Sequence, residues 1–251
     1  MTQGSSEDIT FTALISFKKD ETNVLELQED VDLWQRYASA LKGRRPEEFR
    51  PTAGMDAPWY LALSPEERGN DDLFPGLEAT QPDMQPYNKD RHPLDRRTLL
   101  FYRTTGGALP LDDPNLHLCA HLYASDRNSL YHPIHHMDVA DLYTQMASLV
   151  LTVSFHDPVK DLLFGPSESG VKGPVVDASE KGKWFALEDW TSRSGHGRAM
   201  NHAWLSGPEG RHVATVTQDG LIRYTKAANA TAEEIAALRE RKLGWKAKPK
   251  I

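Results

Sequence analysis

The sequence predicts an α+β domain in which one central helix is wrapped by an antiparallel sheet. Two observations carry this prediction: one apolar helical segment at residues 112–126, and five segments with a strand pattern between residues 97 and 225. Turn signals separate the last three strand segments, as in antiparallel hairpins. The predicted order is a strand, the helix and four more strands.

The helix has a clear start. Asp113 can act as its N-cap, and Pro114 fits the first helical position, where a missing N–H does no harm. Apolar residues cover most of the circumference after that, so we expect the helix to be surrounded rather than laid on a surface. The predicted strands are 97–105, 146–155, 182–194, 198–206 and 211–225.

The regions outside residues 97–228 have weaker patterns. Residues 9–17 alternate apolar and polar side chains, which predicts a strand that must pair with a later strand or with another chain. Residues 19–96 are polar and rich in proline, so we interpret them as an irregular linker. Thr231 and Glu234 form a capping box that would open a C-terminal helix. The predicted domains are therefore 1–18, 19–96, 97–228 and 229–251.

Composition excludes several classes of function. The net charge of −7 gives no electrostatic footprint for nucleic acid. Cys119 is the only cysteine, which excludes an intramolecular disulfide and fits a reducing compartment. No apolar run reaches the length of a membrane span, and the first residues lack the order of a secretory signal. These features predict an intracellular protein without a membrane span.

Three further features of the sequence raise the question of a catalytic or metal-binding role. The stretch "HPIHHMD" contains His132, His135, His136 and Asp138, which could bind a metal, although a solvated loop is the favoured interpretation. Cys119 could be a nucleophile, but its apolar surroundings favour core packing. The stretch "GPSESG" lacks the spacing of the G-x-S-x-G elbow and belongs to a flexible insertion at 165–182, which disfavours serine-nucleophile catalysis.

Three segments resemble the C-terminal half of acyl-CoA thioesterase II, a double-hotdog family. They are "YASDRNSL" at 123–130, "SLVLTVSFHDP" at 148–158 and "VATVTQDGLIR" at 213–223, in the family's order. The resemblance extends to "HPLDRRTLLFYR" as the first strand of the second hotdog, and to "FTALISFKKDE" as the last strand of the first. It implies a hotdog fold, the remnant of a double hotdog, in which the first hotdog is truncated to residues 1–18.

The resemblance also implies a catalytic site. The catalytic acid of the family corresponds to Asp126, the family's hydroxyl residue to Ser148 and the family's glutamine to Gln218. A carboxylate, a hydroxyl and an amide can together hold one water and aim it at a thioester carbonyl, with Asp126 as the base or water-orienting group. The implied reaction is hydrolysis of fatty acyl-CoA to free fatty acid and CoA. It needs no cofactor, because CoA is part of the substrate.

Other interpretations remain open. Where the family usually has an Asp-His pair after the hydroxyl residue, this sequence has Val150 and Leu151. The alternative function is a catalytically silent hotdog that binds acyl-CoA or a full-length relative. A hotdog dehydratase would need a histidine site, which the three segments do not provide. Without the resemblance, Asp126 would be interpreted as a cap or an ion pair with Arg127.

The implied partners are the acyl-CoA substrate and either a second copy of the chain or a full-length relative. A lone hotdog would expose an apolar seam and a sheet edge, so a C2 homodimer is the default expectation. The final residues, Pro249-Lys250-Ile251, resemble a variant of the S-K-L peroxisomal address. A basic disordered tail on a cytoplasmic protein is the alternative.

Overall fold

One seven-stranded antiparallel sheet forms the centre of the computed structural model, which describes residues 12–17, 25–29, 31–61, 63–68, 74–105, 109–140, 142–165, 182–208 and 210–224. The strands are β1 (Arg50–Pro51), β2 (Leu77–Gln81), β3 (Thr98–Thr104), β4 (Tyr143–Phe155), β5 (Phe185–Gly195), β6 (Arg198–Ser206) and β7 (His212–Tyr224). Their order in the sheet is β1-β2-β3-β5-β6-β7-β4, so β4 forms one edge and pairs, among the described residues, with β7 alone.

The long helix begins and ends as the sequence predicts. Asp113 caps it by accepting a hydrogen bond from the backbone N–H of Leu116, and Pro114 occupies its first turn. The five predicted strands are confirmed as β3 to β7, and the hotdog arrangement of one long helix against an antiparallel sheet is confirmed with them. The helices are α1 (Leu33–Arg36), α2 (Ala38–Leu41), α3 (Pro58–Leu61), α4 (Pro65–Arg68), α5 (Gln85–Asn88), α6 (Pro114–Asp126) and α7 (Tyr131–His136).

Two histidines fix α6 to its surroundings. His121 is buried and lies between the hydroxyl of Tyr102, 2.6 Å from Nδ1, and the carbonyl oxygen of Leu162, 2.8 Å from Nε2. Burial lowers the pKa of His121 to about 3, so the ring is neutral, and Nε2–H must be the donor because a carbonyl only accepts. His117 accepts from the backbone N–H of Phe164. The helix is thus fastened to the segment that follows β4.

The prediction that α6 is surrounded is wrong. Its buried residues lie along one side and are His117, His121, Ala124 and Ser125. The opposite side carries Leu116 and Leu122, which are 41% and 39% exposed, and Cys119, which is also exposed. Core packing of Cys119 was therefore the wrong expectation. Part of the apolar circumference of the helix is therefore exposed.

The prediction of an irregular linker at 19–96 is wrong for most of the described residues in that range. Strands β1 and β2 extend the sheet beyond β3, with Leu77 opposite Thr104 in the register. Helices α1, α2 and α5 lie on the face of the sheet opposite α6, where Tyr37 and Leu41 pack against Phe101. We call the α6 side the inner face and this side the outer face. The domain therefore begins well before residue 97.

The prediction of a strand at 9–17 is also wrong where the structure describes it. Residues 12–17 form no regular element, and Leu14 and Phe17 are 100% and 93% exposed. Among the described residues, these six pair with no strand of the sheet. Residues 9–11, the insertion at 166–181 and the predicted C-terminal helix and tail at 229–251 lie outside the described residues.

Candidate active site

Gln218 lies at the centre of the candidate site. It sits on the inner face of β7, is 1% exposed, and its amide Nε2 donates to Asp126 Oδ1 at 2.7 Å and to Ser148 Oγ at 2.9 Å. Both hydrogens of the Gln218 amide are therefore used. If Nε2 and Oε1 were exchanged, the amide oxygen would face the Asp126 carboxylate. The contacts set one orientation for Gln218 and bring together the three side chains singled out in the sequence.

Asp126 is the last residue of α6, and it is exposed rather than enclosed in a buried helix. One carboxylate oxygen accepts from Gln218. The second, Oδ2, receives no hydrogen bond from the described residues, so it can accept from a water or a substrate. Arg127 does not pair with Asp126: its guanidinium donates to the carbonyl oxygen of Gly54 at 2.7 Å. The ion-pair interpretation of Asp126 is therefore wrong.

A β-bulge aims Ser148 at Gln218. In the β4–β7 ladder Ser148 is opposite Gly220, but Val150 is opposite Asp219, so Leu149 is the extra residue. Side chains alternate along a strand, and without a bulge residues 148 and 151 would point to opposite faces. With it, Leu151 packs on the inner core while Ser148 also reaches Gln218. Bulges near active sites commonly redirect a side chain in this way.

A buried polar row continues from Gln218 across the inner face. Asn201 is directly opposite Gln218 in the β6–β7 register and is 1% exposed. Its amide donates to Asp189 Oδ1 at 3.1 Å, and the same oxygen lies 3.1 Å from His132 Nδ1. Sequence reasoning did not find Asn201 or Asp189. The alternation along β6 could have placed Asn201 inward, but nothing local marked its partners.

The histidine stretch is neither a solvated loop nor a metal cluster. It forms α7, with His132 and His136 buried against the inner face, and His136 contacts the hydroxyls of Thr98 at 3.0 Å and Thr191 at 3.2 Å. Asp138 pairs with Arg96. Burial lowers the pKa of His136 well below its usual value. In the described ranges, no group of three or more histidine, cysteine or acidic side chains is placed to hold a metal ion.

His135 differs from its neighbours. Its Nε2 lies 2.9 Å from the carbonyl oxygen of Asp56 and 3.4 Å from the Asp56 carboxylate. Burial opposes protonation, but the hydrogen bond and charge of Asp56 outweigh it and raise the pKa of His135. This contact ties α7 to the segment that precedes α3.

A cavity of about 1050 Å³ lies away from these residues. It is bounded by the C-terminal end of β4, by Trp204 and His212, and by the chain at residues 25–29. None of Asp126, Ser148 and Gln218 lines it. The candidate site is defined instead by side chains that converge on one another at the exposed edge between α6 and β4.

The family model for the acyl-CoA thioesterase C-terminal domain matches residues 46–222. This chain belongs to that family. The match begins inside the region predicted as a linker and includes both β1 and β2, which agrees with their place in the sheet. The three side chains of the candidate site lie within this thioesterase domain.

Part of this chain is similar to solved structures of acyl-CoA thioesterases and of a hot dog fold protein. An acyl-CoA thioesterase II, TesB2, from Mycobacterium marinum is 25% identical, with a TM-score of 0.44, and the match covers 61% of this chain and 51% of that chain. A tesB protein from Mycobacterium avium subs paratuberculosis is 16% identical, with a TM-score of 0.41 and coverage of 67% and 53%. A hot dog fold protein from Alicyclobacillus acidocaldarius is 12% identical, with a TM-score of 0.42 and coverage of 82% and 58%.

The chain spans about half the length of the TesB2 structure that it matches. No curated protein sequence matches it. Within the described part of the thioesterase domain and its flanks, no helix combines the length and the apolar character needed to cross a bilayer.

Proposed function

We propose that this chain hydrolyses fatty acyl-CoA to a free fatty acid and CoA, with Asp126, Ser148 and Gln218 holding the attacking water. The observation that carries the proposal is the pair of hydrogen bonds from one Gln218 amide nitrogen to the other two side chains. Membership of the acyl-CoA thioesterase C-terminal domain family supports a thioester substrate.

The chemistry follows from the groups that are free to act. Asp126 Oδ2 accepts a proton from the water as its oxygen attacks the thioester carbonyl carbon, and a tetrahedral intermediate forms. The C–S bond then breaks, and the proton passes from Asp126 to the departing CoA sulfur. The products are the fatty acid, which ionises in solution, and the CoA thiol. Gln218 keeps Asp126 and Ser148 at a fixed separation throughout, and no acyl-enzyme is required.

Apolar surface lies on both sides of the site. Leu122 is one helical turn before Asp126 on α6 and is 39% exposed, while Leu149 follows Ser148 on β4 and is 44% exposed. Exposed apolar side chains beside a polar site favour a substrate with a hydrocarbon portion. These two side chains are the proposed contacts for the acyl group.

Release of CoA provides the test. The purified chain is mixed with acyl-CoA esters of increasing length, and free thiol is measured beside calorimetric binding of the same esters. We expect saturable thiol release that depends on chain length. Binding without thiol release would favour the silent hotdog instead. If the chain showed no binding and no thiol release, acyl-CoA would be excluded as the ligand.

We also propose that the chain associates with a second copy through the edge of β4. Val150 is 56% exposed on this strand. The side of β4 that faces away from β7 pairs with no strand among the described residues, and a long strand edge of this kind is a template for pairing. Peroxisomal delivery through Pro249-Lys250-Ile251 stays a proposal as well, tested by microscopy of a fluorescent fusion with and without these three residues.

A further inference from the structure

The turn after α6 is held by a segment that is more than 70 residues away in sequence. The helix ends because Arg127 adopts an extended backbone and Asn128 has a positive φ of 61°. Ser129 closes the turn by donating its hydroxyl to the carbonyl oxygen of Asp126 at 2.7 Å. These local bonds shape the turn, but they do not fix its position relative to the sheet.

The side chain of Asn128 supplies that connection. Its Nδ2 donates to the carbonyl oxygen of Ala53 at 3.2 Å, and its Oδ1 accepts from the backbone N–H of Asp56 at 3.3 Å. Arg127 adds a bond to the carbonyl oxygen of Gly54 at 2.7 Å. The two residues that follow Asp126 are therefore both bonded to residues 52–57, which we call the clamp segment.

The clamp segment is itself anchored at both ends. At its start, the backbone N–H of Thr52 donates to the carbonyl oxygen of Ala79 in β2 at 2.9 Å. Near its end, Asp56 contacts His135 on α7 through its carbonyl and its carboxylate. The segment thus connects the sheet, the end of α6 and α7. A group held between two fixed elements has little freedom to move.

We propose that Asn128 is a positioning residue for Asp126: through the clamp segment it holds the end of α6 where the carboxylate meets Gln218. This inference rests on the proposed hydrolase function. The bond from Gln218 Nε2 to Asp126 Oδ1 is 2.7 Å long, so a small shift of the turn would break it. Misplacement of a reacting group by about 1 Å can cost about 100-fold in rate.

The test compares Asn128→Gly with His196→Gly. Glycine accepts the positive φ at both positions, but only the first change removes the two bonds to the clamp segment. His196 has a φ of 53° in the turn between β5 and β6 and serves as the matched control. We expect Asn128→Gly to lower kcat by about 10- to 100-fold while KM changes little, because the loss concerns the orientation of the reacting group. We expect no change in His196→Gly.

The same substitution in the Asp126→Asn background separates positioning from general damage. If Asn128 acts through the Asp126 carboxylate, Asn128→Gly causes little further loss once that carboxylate is gone. An equal fold loss in both backgrounds, or an unchanged kcat in the single variant, would overturn the inference while leaving the hydrolase function intact.

An NMR measurement decides the question independently of activity. The side-chain amide protons of Gln218, held by Asp126 and Ser148, should exchange slowly in the parent chain and faster in Asn128→Gly. If the parent chain proves inactive, the proposed function fails, and this comparison alone supports or overturns the positioning role. Equal exchange in the two proteins would overturn it.

Discussion

Replacing Gln218 by glutamate tests whether the central contact exists. The substitution keeps the shape of the side chain but puts a carboxylate oxygen 2.7 Å from Asp126 Oδ1 in place of an amide donor. Two carboxylates at this distance repel by about 1.5 kcal/mol in water and by about 6 kcal/mol at an effective dielectric constant of about 20. The pair should therefore share one proton, and its upper apparent pKa should rise by about one to four units.

The sign of the effect on stability follows from proton linkage. A carboxyl pKa that is raised in the folded state means that the folded protein binds more protons than the unfolded one, so stability falls as the pH rises. Near pH 4 Gln218→Glu should be almost as stable as the parent. By pH 8 it should be less stable by about 1.5 to 5 kcal/mol, with the lower part of this range favoured because Asp126 is exposed and screened.

Urea denaturation at several pH values measures this difference. Gln145→Glu is the control, because Gln145 is exposed on β4 and the same charge change there should alter stability by less than about 0.5 kcal/mol. If the stability difference between Gln218→Glu and the parent does not grow with pH, the side chains of residues 218 and 126 are not in contact, and the hydrogen bond on which the candidate site depends is absent.

Three further predictions concern the fold and its edge. A Cβ on Gly220 would lie 2.3 Å from Leu130 Cδ2, so Gly220→Ala should lower the unfolding free energy by about 1 to 3 kcal/mol. A Cβ on Gly195 would have no atom within 4 Å, so Gly195→Ala should not lower it, and denaturant titration of both variants measures the difference. Because the pKa of His121 is lowered to about 3, this group should reduce the unfolding free energy by about 1.4 kcal/mol for each pH unit below about 6.5. His121→Gln should weaken this dependence of stability on pH, measured in acid titrations followed by circular dichroism. Val150→Lys should shift the parent's sedimentation coefficient towards the monomer, and a parent that is already monomeric would refute pairing through β4.

The strands and the long helix could be predicted from local pattern because each is long enough to show a period. Strand β2 could not, since it has five residues and its pairing with β3 is a tertiary contact. The same limit applies to the outer layer, where Tyr37 is buried by helices of only four residues. Short elements are stabilised by what they pack against, which a local pattern does not show.

The candidate site could be predicted only through the resemblance. Asp126 and Gln218 are 92 residues apart, and neither has a local signature of catalysis. The contribution of Asn128 was not predicted, because its partners at residues 53 and 56 lie in a region without a visible pattern. The exposure of Asp126 was missed for a related reason: apolar residues around α6 suggested burial, although one side of the helix faces outward.

We propose that Asp126 activates the water that cleaves acyl-CoA, and the turnover of Asp126→Asn measures this role. Asparagine keeps the shape but cannot take a proton, so kcat for thiol release should fall by about 100- to 10,000-fold, with folding unchanged. Asp113→Asn is the control, because asparagine caps a helix as well as aspartate does and Asp113 lies at the opposite end of α6. Equal turnover in Asp126→Asn and the parent would show that Asp126 does not accept the proton of the attacking water.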